Sequence, residues 1–121
     1  MIITIQNSSP DPIYKQIFDQ IKKQIICGDL KAGEKLPSIR EMAKELSISI
    51  ITIKRTYTDL ENEKLIETVI GKGSFVSDIN NELLKEKKFA LLQDLIEKIV
   101  DEAKKLGISK KEIVEVLDEF Y

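Results

Sequence analysis

The side chains most able to act on another molecule crowd into one short stretch. From Lys35 to Arg55 the cations Lys35, Arg40, Lys44, Lys54 and Arg55 meet only Glu41 and Glu45, five against two, a local charge of +3. Such cations donate to phosphate oxygens and to the acceptor edges of bases, and neighbouring apolar groups such as Ile51 can pack on a thymine methyl. A further cation, Lys72, stands between Gly71 and Gly73, where a small basic tip suits a phosphate or a minor groove. Covalent chemistry has far less to work with. The 121 residues include no His and one Cys, Cys27, which removes Ser–His and Cys–His nucleophiles and the usual zinc sites, so neither metal nor cofactor is expected. Cys27 ends an apolar-periodic helix and reads as a small buried hydrophobe. Acidic residues such as Glu97, Asp101 and Glu102 sit at helical spacing beside Lys98 and Lys104, the pattern of a solvated face, and an enzyme is not expected.

Composition sets the outer limits. At 13.8 kDa with 42% hydrophobic and 33% charged residues, the chain has room for one domain with an appendage. The net charge of −2 argues against a protein that coats nucleic acid or a membrane, so any basic surface must be focused. No apolar run approaches the ~18 residues of a membrane span, and MIITIQNSSPDP lacks the regions of a signal peptide, so the expected location is the cytoplasm, away from membranes.

The elements that must position those side chains follow from periodicity and caps. Ile2 to Ile5 is β-branched and predicts a short strand, ended by Asn7-Ser8-Ser9-Pro10. Asp11-Pro12 reads as an N-cap with proline at the first helical position, and Ile13, Ile17, Ile21 and Ile25 give one apolar face as far as Cys27, with Gly28 as the stop. Ser38-Ile39-Arg40-Glu41 is a capping box opening a helix to Leu46. Ser49 caps another from Ile50 to about Glu63, which completes a helix-turn-helix pattern. On that last helix Ile53, Tyr57 and Leu60 share one face, while Ile51, Lys54, Arg55 and Thr58 point the other way and Thr52 lies on the flank. Leu65–Val69 and Ser74–Val76, joined through Gly71 and Gly73, predict a hairpin wing.

Beyond Asn80 the pattern is long helix. Phe89, Leu92, Ile96, Ile99, Ala103 and Leu106 form a stripe that Leu95 and Val100 widen. After Gly107, the capping box Ser109-Lys110-Lys111-Glu112 opens a last helix carrying Ile113, Val114, Leu117 and Phe120. The fold expected is mainly α with a small β-hairpin wing: a winged helix-turn-helix domain over residues 1–78, then a helical hairpin over residues 79–121. Two short helices leave such apolar faces wet, which calls for a second surface. Packing back on the winged helix covers some of it, and dimerisation through Phe89, Leu92, Leu95, Ile96, Ile99, Val100, Ala103, Ile113, Leu117 and Phe120 is favoured.

The segment from Gly28 to Val76, and above all LPSIREMA, TIKRTYTDLE and GKGSFV, resembles the GntR-type bacterial transcription regulators. The opening residues and short helical tail are similar to the YtrA-type subgroup. That resemblance implies a homodimeric repressor on a palindromic double-stranded operator, possible control of transporter genes, and DNA contacts from both helices of the turn and from the wing. By position it marks Arg40, Thr52, Lys54, Arg55, Lys72 and Gly73. With the two helix N-termini added, the candidate DNA set is Ser38, Arg40, Ser49, Ile50, Ile51, Thr52, Lys54, Arg55, Lys72 and Gly73. Ile50 and Ile51 depart from the Arg, Pro or Asn frequent in the family, and Ser47 stands where glycine is common.

Each site residue has a plainer reading. Ile51 can be an unpaired surface residue or a subunit contact, Lys54 and Arg55 a solvated face, Arg40 a partner for Glu41 or Glu45, and Lys72 a turn lysine. The rival function is a winged-helix adaptor that binds protein without an operator. An effector stays unknown, since a tail this short cannot readily enclose a ~300–1,000 Å³ pocket within one subunit.

Overall fold

Isoleucine at every fourth position builds the first helix and the first wall of the core. The computed structural model describes residues 1–121. Helix α1 (Ile13–Cys27) buries Ile17, Ile21, Ile25 and Ile26. Its N-cap is Pro12 rather than Asp11. The Pro12 carbonyl accepts from both Lys15 and Gln16 at 3.1 Å, so the ladder starts one residue later than expected, and the Asp11 carboxylate lies 3.9 Å from Lys15 Nζ instead of on the helix end. Cys27 is exposed, contrary to expectation. Ile25 and Ile26 take the inward positions, and a further 100° of rotation turns Cys27 to solvent.

No strand forms over Ile2–Ile5. The side-chain amides of α1 take the place of a neighbouring strand. Gln20 accepts from Thr4 N–H at 2.8 Å and donates to Thr4 C=O at 2.6 Å, and Gln16 does the same for Gln6 at 2.9 and 3.1 Å. Gln24 donates to Ile2 C=O at 2.9 Å. Four helical residues rise ~6 Å and two extended residues ~6.6 Å, so alternate residues of the segment meet successive turns of the helix.

Helix α2 (Ile39–Leu46) carries the expected capping box. Glu41 N–H donates to Ser38 Oγ at 3.1 Å, and Ser38 N–H donates to the Glu41 carboxylate at 3.4 Å. Ser47 closes α2 in the left-handed region, φ 55°. Helix α3 (Ile50–Asn62) begins at Ser49, whose hydroxyl accepts from Thr52 N–H at 3.2 Å. It buries Ile53, Thr56, Tyr57 and Leu60 against α1 and α2. Strands β1 (Ile66–Val69) and β2 (Gly73–Val76) pair antiparallel, Ile66 opposite Val76 and Val69 opposite Gly73. Residues 33–36 add a third edge, with Leu36 N–H on Ser74 C=O at 2.9 Å and Gly33 N–H on Val76 C=O at 2.8 Å. Leu30, Leu36, Met42, Leu65 and Ile66 close the core.

Helix α4 (Asn81–Leu106) starts at Asn80, whose side chain accepts from Leu83 N–H at 2.9 Å. Gly107 interrupts it at φ 70°, and Ser109 with Glu112 caps α5 (Lys110–Phe120). The chain divides into two compact units, Met1–Leu84 and Lys85–Tyr121. The division falls within the first turn of α4.

Candidate nucleic-acid interface

Helix α3 is sharply two-sided. Ile53 and Leu60 are fully buried, whereas Ile51 is 81% exposed and Lys54, Arg55 and Thr58 also face solvent. The inner side is fastened by two hydroxyls. Tyr57 Oη donates to Pro37 C=O at 2.6 Å, tying α3 to the turn that precedes α2. Burial, and after it the negative charges of Glu41 and Glu45, push the Tyr57 phenol well above its ordinary value of 10.0, so it remains a neutral donor. Thr56 Oγ1 donates to Thr52 C=O at 3.0 Å and lies 3.3 Å from Tyr14 C=O, which keys α3 to the start of α1. Neither Thr56 nor Tyr14 stood out as a site residue in the sequence.

The outer side is largely uncommitted. Lys54 and Arg40 have no ion pair or hydrogen bond, and Glu41 is occupied at the Ser38 cap. Arg55 is held through its face, with its guanidinium carbon 3.6 Å from the centre of the Tyr14 ring. Ser38, Ser49 and Thr52 are occupied in capping: Thr52 is half-buried, with Oγ1 2.8 Å from Ser49 Oγ. Ile50 is exposed beside Ile51.

The wing presents Lys72 between two glycines in the left-handed region, Gly71 at φ 79° and Gly73 at φ 117°. The backbone angle at Gly73 favours glycine, and the Lys35 side chain lies across it, with Cε 3.0 Å from where a Cβ would stand. Lys35 therefore joins the wing base, and Ile70, 98% exposed, joins its tip. The glycine-flanked turn signalled Lys72, but nothing local linked Lys35 to it. Thr68 fixes the wing to α3 by donating to the Glu61 carboxylate at 2.6 Å.

A two-helix turn whose second helix has a free basic and apolar face, beside a basic-tipped wing, is a winged helix-turn-helix. The family described as bacterial regulatory proteins, gntR family, matches residues 13–76, more than half of the chain. The chain belongs to the GntR family. Its relatives include the HTH-type transcriptional repressor YtrA of Bacillus subtilis, 32% identical over 98% of this chain and 91% of that protein. An uncharacterised HTH-type regulator of the same organism, YhcF, is 38% identical over 95% and 94%. Among solved structures, a GntR family regulator from Listeria monocytogenes superposes with a TM-score of 0.81 at 34% identity, covering 95% of this chain and 98% of that one. The DNA-binding domain of AraR, solved in complex with its operator ORX1, has a TM-score of 0.56 at 26% identity over 64% of this chain and 96% of that one. This GntR protein is accordingly a DNA-binding transcription regulator of YtrA type, and its family are regulators rather than enzymes.

The second unit of the GntR chain is built differently. Ala103 is its only buried residue. Phe89, Leu92, Leu95, Ile96, Ile99 and Val100 of α4 are exposed, as are Leu117 and Phe120 of α5, and Ile113 is half-buried. Ile99, Ala103, Leu106, Ile113, Leu117 and Phe120 border an apolar groove of about 530 Å³ between the two helices. No helix is long and apolar enough to cross a membrane.

Proposed function

We propose that the protein is a cytoplasmic repressor that binds a palindromic operator as a homodimer. The observation carrying this reading is the outer face of α3, where Ile51, Lys54 and Arg55 stand exposed without an acidic partner. In the major groove Lys54 reaches base or phosphate acceptors and Ile50 and Ile51 meet thymine methyls. Arg40, with the N-termini capped by Ser38 and Ser49 and the flank residue Thr52, contacts the backbone. Lys72 and Gly73 bring the wing to phosphate or minor groove.

Residues 79–121 supply the dimer contact in this reading. A unit with one buried residue has no core of its own, and the apolar faces of α4 and α5, including Phe89, Leu92, Ile96 and Ile99, are covered by a second copy. Dimerisation sets two recognition helices about one DNA turn, ~34 Å, apart. The YtrA likeness extends the proposal to transporter genes as targets.

The test is retention on duplex DNA as salt is raised. Phosphate neutralisation predicts a steep fall of log K with log salt, about 0.9 in slope for each contact. A flat response would instead support a winged-helix adaptor.

A further inference from the structure

We infer that Tyr14 is a positioning residue for DNA binding, holding the Arg55 guanidinium by its face so that its edge is offered to a backbone phosphate. The inference rests on the DNA reading of α3 given above. A guanidinium stacked on a ring at 3.6 Å uses its π face and keeps all five N–H donors in the plane of the group, and no protein acceptor takes any of them. That is the planar fork suited to phosphate oxygens, already oriented.

An unheld Arg55 has an obvious alternative. Asp59 lies one turn along α3, the spacing at which Arg and Asp pair, and it is half-buried in the same cleft as Tyr14. No Arg55–Asp59 pair forms. The other carboxylates flanking Tyr14 on or before α1 are Asp11 and Asp19, and Lys15 occupies both, at 3.9 and 2.7 Å. Tyr14 is itself anchored, its carbonyl 3.3 Å from the buried hydroxyl of Thr56, the residue after Arg55. The ring thus stands at a fixed place beside α3 and keeps the Arg55 guanidinium away from internal neutralisation.

Phosphate contact is independent of sequence, so the probe is any duplex of about 30 base pairs, with the slope of log K against log salt as readout. Arg55→Ala is expected to lower the slope by about 0.9 per subunit. Tyr14→Leu should lower it equally and the double variant no further, while Tyr14→Phe, which keeps the ring, restores it. Adding Asp59→Asn to Tyr14→Leu should recover part of the loss. The chain has two arginines, Arg40 and Arg55, so side-chain Nε–H NMR gives two signals. The Arg55 signal should be ring-shifted in the wild type and should move on adding duplex, a readout available even if Tyr14→Leu does not fold. A steep wild-type slope that falls in Lys54→Ala but not in Arg55→Ala overturns the inference alone. So does a slope unchanged by Tyr14→Leu, or an Arg55 signal indifferent to the duplex. Wild-type binding indifferent to salt removes the DNA reading and the inference with it.

Discussion

Tyr57 carries two duties through one oxygen: its ring fills the core under α3, and its hydroxyl holds Pro37 C=O at 2.6 Å. Tyr57→Phe leaves that carbonyl without its partner and is expected to cost about 1–3 kcal/mol in denaturant unfolding. The pH dependence has a definite sign. The folded phenol keeps its proton above the ordinary value of 10.0 because burial, Glu41 and Glu45 disfavour the anion, whereas the unfolded phenol ionises near that value. Its contribution is therefore complete below pH 10.0 and is lost as pH rises from there towards the folded value. Alkaline titration of stability should fall less steeply in Tyr57→Phe than in the wild type. Ser47 offers the opposite case, a side chain at φ 55° with no compensating contact assigned to it. Relief of ~1–2 kcal/mol of left-handed strain, less ~0.5–1 for the freedom of glycine, predicts that Ser47→Gly raises stability by roughly 1 kcal/mol, readable as a higher melting temperature. For DNA, Lys54→Ala should cost about 1–3 kcal/mol and relax preference at one base pair if Lys54 reads a base edge, and weaken all sequences alike if it meets phosphate.

At the scale of elements, what was legible in the sequence was whatever is encoded locally. The starts of α2, α3 and α5 follow from Ser38, Ser49 and Ser109, because a cap hydroxyl and the N–H it accepts from lie within one turn. The wing was equally readable from Gly71 and Gly73. The opening segment instead depends on contacts remote in the chain. A β-branched opening run looks like a strand, yet its partner is a column of glutamine amides on α1, a pairing that no strand periodicity reveals. The same remoteness hid Tyr14 from Arg55 and Lys35 from Gly73. The glutamine column makes its own prediction. Gln20→Ala removes both bonds to Thr4, so amide exchange of Thr4 and its neighbour Gln6 should accelerate while the buried turns of α1 keep their protection.

At the scale of the whole molecule, the proposed homodimer divides the task between the two units. The first has a closed core and a free recognition face, and the second has apolar faces with Ala103 alone buried. Replacing Ile96 and Ile99 together with glutamine should leave the winged helix folded, convert a sedimenting dimer to monomer, and weaken duplex binding in parallel. Unchanged sedimentation of that double variant contradicts the assignment of α4 and α5 to the dimer. The most direct measurement of the central claim is selection of bound sequences from a random DNA pool by the full chain. The account predicts enrichment of inverted repeats whose half-site centres lie about 10 base pairs apart, or a multiple of that. A pool that fails to enrich, or that enriches a single unpaired half-site, contradicts it.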